Sequence, residues 1–397
     1  LEFKKSPGAA IKGVISPSFY GNVGKLSFYS GIDVWTEYDS DTLFHQSSYQ
    51  PYDGLPYNLY GRGTPTSHFR SSDKPRGVIR YEFGRIQLET AIDYLKTGPT
   101  VYHPVTLSGA TPPLTFFRGT LDMNVMNYTH VVGLLKEQKD RSKYIYVHRL
   151  GSKLWKSRLD FGINEVIVTG DLVDEPHGPF DKLQIIVPPQ RNWEWAYFIP
   201  FLPFKFLEQF SGDRDNAIIT FDVNLNYPKK FRWYLEFLID DILDPQYFFT
   251  DDWGNKWALT AGVQHFGTFL NRDITIDFEY SRVEPWVYTH FYGCSHRYTH
   301  FGQSLGSVLG PNSQALVLNS TYNLNRLHTV GIGLSSIAKN DSTRGSHITD
   351  IFQFPDPNDS SGFTDIPKKR FMGPGTKWSL KPSVTWCFNP NGLFSLN

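Results

Sequence analysis

Ala217-Ile-Ile-Thr-Phe-Asp-Val-Asn-Leu-Asn226, the link Tyr227-Pro-Lys-Lys230, and Phe231-Arg-Trp-Tyr-Leu-Glu-Phe-Leu-Ile-Asp240 form the stretch on which the fold is decided. Ala217, Ile219, Phe221, Val223 and Leu225 alternate with Ile218, Thr220, Asp222, Asn224 and Asn226. Beyond the link, Phe231, Trp233, Leu235, Phe237 and Ile239 alternate with Arg232, Tyr234, Glu236, Leu238 and Asp240. A period of two marks a strand with one apolar and one polar face, because successive side chains point to opposite sides. Two such runs across a short turn read as an antiparallel hairpin.

The same alternation extends in both directions, and helical periodicity is almost absent. Upstream, strands are expected at 11–20 and 24–39 across Gly21-Asn-Val-Gly24, and at 76–83 and 85–95 around Gly84. Further strands are expected at 114–122 and 127–136, and at 143–150 and 153–168 with a turn at Gly151-Ser152. Downstream they fall at 255–266, 272–282, 314–323 and 325–337. In the last strand, Trp378, Leu380, Pro382, Val384, Trp386 and Phe388 share one face. Long connections are expected at 40–74, 96–113, 170–213, 241–254, 283–313 and 338–375, with a short helix after Pro203.

Strands of this length suit a tilted membrane crossing, which takes roughly 9–11 residues. Short turns alternating with long loops match the periplasmic and external ends of an outer-membrane barrel. Asp222, Arg232, Glu236, Asp240, Asp273, Asp277 and Glu279 form charged rows on the polar faces. Phe231, Trp233, Phe237, Trp378 and Trp386 supply an outward aromatic belt. The expectation is therefore an all-β chain: one antiparallel transmembrane β-barrel over residues 1–397, with 18 strands, or 16 as the alternative. About fifteen strands are clear, and the others are sought within 1–9 and 160–190. If the last strand ends in the periplasm, the long loops are extracellular. A soluble propeller or chain of sandwiches is the competing architecture; the absence of a blade-length repeat and the loop alternation count against it.

Composition narrows the function. The 397 residues include 31 Phe, 22 Tyr and 10 Trp, and Lys plus Arg equals Asp plus Glu at 39 each. No basic excess points to nucleic acid. Leu1 is not a methionine, so a mature or trimmed chain is expected, and Cys294 and Cys387 are expected to be unpaired. His290, Cys294, His296 and His300 are zinc-ligand types, but their spacing matches no metal pattern. The segment 356–365 resembles a calcium loop only faintly. Glu165, Asp171, Asp174 and Glu175 gather carboxylates, and glycoside cleavage needs two at a set separation. No phosphate-cradling glycine loop exists, and neither an enzyme nor a cofactor is expected. Flat aromatics in or beside long loops suit stacking on sugar faces. Trp193, Trp195, Tyr197, Tyr247, Trp253, Trp286, Tyr288, His290, Tyr298 and His300 are the resulting candidates for glycan contact. Their competing role is to pack against one another in the barrel mouth.

Several stretches, in order, resemble the Wzi-type capsule-assembly outer-membrane proteins. They are Thr106-Leu-Ser108 with Pro112, His148-Arg-Leu150, Gly162-Ile-Asn-Glu165, Ile199-Pro-Phe-Leu-Pro203 and Gly212-Asp-Arg-Asp-Asn216. They continue with Trp286-Val-Tyr-Thr-His290, Tyr298-Thr-His300-Phe-Gly302, Leu305-Gly306 and Leu309-Gly-Pro-Asn-Ser313. The resemblance spans roughly 85–325. It implies an eighteen-stranded barrel in the bacterial outer membrane that acts as a surface lectin for capsular or other exopolysaccharide. The expected partners are the lipid bilayer, lipopolysaccharide, surface polysaccharide and other outer-membrane proteins. The periplasmic helical bundle of well-known members has no counterpart in the pattern at this N-terminus. A diffusion channel and a structural subunit of a larger assembly are the alternatives.

Overall fold

The computed structural model describes residues 10–40, 44–45, 59–60, 66–137, 142–171, 192–210, 215–242, 246, 248–290, 295–350 and 368–388. Its wall is one antiparallel sheet. The first strands are β1 (Ala10–Ile15), β2 (Ser18–Val23), β3 (Leu26–Asp39), β4 (Phe69–Phe83) and β5 (Ile86–Asp93). Next come β6 (Leu114–Asp122), β7 (Met126–Leu135), β8 (Lys143–Leu154) and β9 (Leu159–Gly170). A short helix, α1 (Phe204–Phe210), precedes β10 (Asn216–Leu225) and β11 (Phe231–Asp241). The wall continues with β12 (Lys256–Phe269), β13 (Arg272–Val283), β14 (Ser313–Asn323), β15 (His328–Asn340) and β16 (Thr376–Phe388).

From β2 onward each strand pairs with the next. β1 and β2 pair with successive halves of β3, so they make one crossing interrupted at Ser16-Pro17. The described residues thus show fifteen crossings rather than eighteen, and among them no ladder joins the first crossing to the last. The segments searched for further strands, 1–9 and most of 160–190, lie outside the described residues.

Two boundaries differ most from the sequence expectation. β4 begins at Phe69, not near Arg76, because its ladder with β3 runs on to Tyr38↔Phe69. Gly151-Ser152 is not a turn: Gly151 pairs with Gly162 inside the ladder, and the chain reverses at Trp155, Lys156 and Ser157. All three have left-handed φ values of 49–61° without being glycine, so the usual turn signal is missing. The helix expected after Pro203 is α1.

Register fixes which face each residue occupies. Trp233, Leu235 and Phe237 share a face with Val223, Phe221, Ile276, Phe278, Leu318, Leu334, Trp378 and Trp386. Many of these are exposed, and they form the expected outward belt. On the other face, Ala91, Phe116, Val131, Val147, Val166, Ile218, Leu238, Ala258 and Val283 belong to one apolar cluster. These come from nine successive strands, β5 to β13. A sheet can bring nine neighbours to one cluster only by curling around it.

Candidate functional site

Two connections, 94–113 and the described parts of 284–312 (284–290 and 295–312), fill the hollow of the curled wall. Val105, Leu107, Val287, Tyr288, Tyr298 and Leu305 join the wall's inner cluster, and all are buried. Inward wall carboxylates hold the first connection. Glu279 accepts from the backbone amides of Val101 (3.1 Å), Tyr102 (3.0 Å) and His103 (2.7 Å), and from the Tyr234 hydroxyl (2.8 Å). Glu236 accepts from the Thr100 hydroxyl at 2.6 Å, the Thr106 hydroxyl, and the amides of Val105 (3.3 Å) and Thr106 (3.1 Å). The Tyr102 hydroxyl donates to Asp277 (2.6 Å), and Arg232 donates to the Pro99 carbonyl (2.6 Å). Burying a carboxylate is costly unless donors surround it. Glu236 and Glu279 are fully buried, and the loop backbone supplies those donors. Gly98, at φ +81°, is required here: an added Cβ would sit 2.7 Å from Glu236 Oε1.

The second connection locks onto the first. Tyr288 and Tyr298 stack at 5.4 Å and 12°. Their hydroxyls donate to the carbonyls of Val105 (2.6 Å) and Thr106 (2.9 Å). The Ser307 amide donates to the Tyr288 hydroxyl (3.1 Å), and Gly306 lets that ring approach, since a Cβ there would meet it at 2.5 Å. His300 accepts from the Lys136 amide on Nδ1 (2.9 Å), and burial pushes its pKa down to about 3. Burial likewise lowers the pKa of His103 and His290. Trp286 is buried beside Gly345, whose carbonyl accepts from its amide (2.8 Å).

The sequence candidates therefore separate. Trp286, Tyr288, Tyr298 and His300 lie inside the plug. His290 stacks on His296 at 5.5 Å beside it. Among the described residues no His, Cys, Asp and Glu group is arranged for a metal. Cys294, the 356–365 segment, Asp174, Glu175 and Tyr247 lie outside the described residues. Trp253 stands half-buried at the rim, with Lys256 Nζ 5.4 Å from its ring centroid. Near it, Lys368 pairs with Asp251 (3.1 Å), Lys369 with Glu284 (3.0 Å), and Arg282 lies over Trp257 and Phe371.

Trp193 and Trp195 occupy the other side of the wall. Residues 192–210 fold back as a strap over the outward faces of β7, β8 and β9. Trp193 packs on Tyr144 at 4.4 Å. The Tyr146 hydroxyl accepts from the Glu194 amide (3.0 Å), and the Tyr128 hydroxyl from the Phe201 amide (2.9 Å). Glu165 accepts from the Phe204 amide (3.0 Å) at the start of α1. Beneath the strap, His130 pairs across strands with His148, and His148 with Glu165, in one polar row on an otherwise apolar face. Sequence reasoning missed this row. Its signal was available, because His148 and Glu165 break the outward apolar alternation in two neighbouring strands.

A curled antiparallel wall with an apolar outer belt and a loop-filled interior is the fold of the outer-membrane β-barrels. In particular the chain is similar to Wzi of Escherichia coli, described as an outer-membrane protein involved in group 1 capsule assembly and a carbohydrate-binding β-barrel. The TM-score is 0.53 at 11% identity, over 86% of this chain and 72% of that one, so the likeness is one of fold. The outer-membrane channel DcaP of Acinetobacter baumannii (TM-score 0.40, 10% identity, 82% of this chain and 78% of that one) is more distant. So is an engineered Rh. blastica porin (0.38, 6%, 82% and 85%). The sequence matches no family model and no curated protein.

Proposed function

We propose that this chain is a non-enzymatic β-barrel of the bacterial outer membrane that binds or organises capsular or other exopolysaccharide at the cell surface. The observation that carries this reading is the plug. The inward carboxylates of Glu236 and Glu279, which in an open pore would line a water path, are spent on the backbone of 94–113, and the described parts of 284–312 are packed against that connection. Such a wall is built to display its loop end rather than to pass solutes. The Wzi-like fold adds weight, since that relative is a carbohydrate binder.

Within this reading the barrel is closed and has the even strand number usual for single-chain bacterial barrels. The rim around Trp253, with Lys256, Arg282 and Phe371, is where a sugar chain lies, and the buried Trp286, Tyr288, Tyr298 and His300 form the rigid floor beneath it. The exposed Trp195 lies on the strap and faces the bilayer. The test is retention of purified surface polysaccharide by the protein in detergent micelles. Trp253→Ala is expected to weaken retention about tenfold, the loss of one aromatic stacking surface at about 1–2 kcal/mol. Steady open-pore current in planar bilayers, together with no retention of any surface glycan, would instead favour a diffusion channel.

A further inference from the structure

The strap leaves a cavity of about 240 Å³ at its lower edge, on the outside of the wall. Tyr128, Leu150 and Ile163 form its bed, and Phe201, Leu202 and Pro203 its lid, with His148 and Glu165 at the back. Its depth follows from the strands. Residues 148–150 lie midway along β8 (Lys143–Leu154), and 163–165 midway along β9 (Leu159–Gly170). Mid-wall is the level of hydrocarbon, not of headgroups. The polar groups that reach it are already engaged or covered. The Tyr128 hydroxyl holds the Phe201 amide, and Glu165 holds the Phe204 amide. Phe204 lies flat on His148 at 3.6 Å and 28°. Among the described residues no lysine or arginine lines the cavity. Leu150, Phe201 and Leu202 are exposed at its mouth, continuous with the outward belt.

We propose that this cavity seats the end of a lipid acyl chain from the surrounding bilayer, with Phe201-Leu-Pro203 closing over it. The occupant is a hydrocarbon tail: the lining offers carbon surface at mid-bilayer depth and no positive group for a phosphate. An empty cavity would forfeit dispersion contacts along its walls, and a neighbouring chain end supplies them without leaving the bilayer. This inference rests on the outward face being the lipid face, as the proposed function requires.

The experiment uses the whole protein in dimyristoylphosphatidylcholine vesicles doped with a phosphatidylcholine carrying a photoreactive diazirine at the end of one acyl chain. After irradiation, adducts are mapped by mass spectrometry. The expected result is enrichment at Leu150, Ile163 and 201–203 over the comparably exposed belt residues Trp233, Ile276 and Leu318. Ile163→Trp, which fills the cavity, should abolish the enrichment and leave belt labelling unchanged. Leu202→Ser, at the exposed mouth, should reduce it in a wall whose bed is intact. A labelled belt without enrichment, or enrichment that survives Ile163→Trp, would overturn the acyl-chain site alone. A belt with no label anywhere would overturn the membrane placement and the site with it.

Discussion

Glu279→Ala is the most direct perturbation of the plug. In the folded chain its carboxylate holds three successive amides, Val101 to His103, and the Tyr234 hydroxyl, at 2.7–3.1 Å. Alanine leaves these donors, half-buried in the three loop residues and buried in Tyr234, without that acceptor, at about 1–3 kcal/mol each. The three amides alone cost on the order of 3 kcal/mol at the lower end of that range, which raises the undocked population of 94–113 roughly a hundredfold. Single-channel recording in planar bilayers reads this directly. The unsubstituted protein should be nearly silent, and Glu279→Ala should show frequent openings. Asp273→Ala, at the opposite end of the same strand and exposed, should remain silent. If correctly folded Glu279→Ala is as silent as the unsubstituted protein, the inner carboxylates do not hold the plug and the reasoning fails.

Acid should loosen the plug. His300 has an ordinary pKa of 6.5 that burial lowers to about 3, so between these values the undocked loop takes up a proton that the docked loop refuses. Docking is therefore fully stable above pH 6.5 and weakens as pH falls toward 3, by at most about 1.4 kcal/mol per pH unit. Channel openings should rise over that window, and His300→Asn, which keeps an acceptor for the Lys136 amide, should reduce the rise, leaving the part that buried His103 and His290 contribute in the same direction. Gly98→Ala should open the pore at neutral pH, because the new Cβ meets Glu236 and the left-handed backbone is strained; unchanged silence would contradict the close approach. His130→Leu should leave the thermal unfolding temperature in detergent unchanged or raise it. Neither ring nitrogen of His130 has a partner, and their burial costs about 1–3 kcal/mol each; a clear fall would mean that the imidazole has a binding role.

Much of the wall was legible because alternation depends on neighbours two residues apart. The pair 217–226 and 231–240 became β10 and β11 with the expected faces. The inward charges at Asp222, Glu236, Asp277 and Glu279 were also legible as a row, but the purpose of the last three was not, since they hold loop residues 100–106 over a hundred positions away, whereas Asp222 pairs within the wall with Arg149. Tyr288 and Tyr298 looked like sugar platforms because a loop aromatic reads the same whether it faces water or another loop. Only the long-range contacts to Val105 and Thr106 distinguish the two. The turn at 155–158 was hidden for a local reason, a reversal made without glycine.

The covered row of His130, His148 and Glu165 has a consequence for biogenesis. A bare row of this kind would face hydrocarbon at mid-wall, where unsatisfied polar groups are poorly tolerated. The wall of β7, β8 and β9 therefore cannot come to rest in lipid until residues 192–210 have closed over it. A connection that looks like a surface loop is thus a timing element: its arrival decides when that three-strand section of the wall is ready to be released into the bilayer.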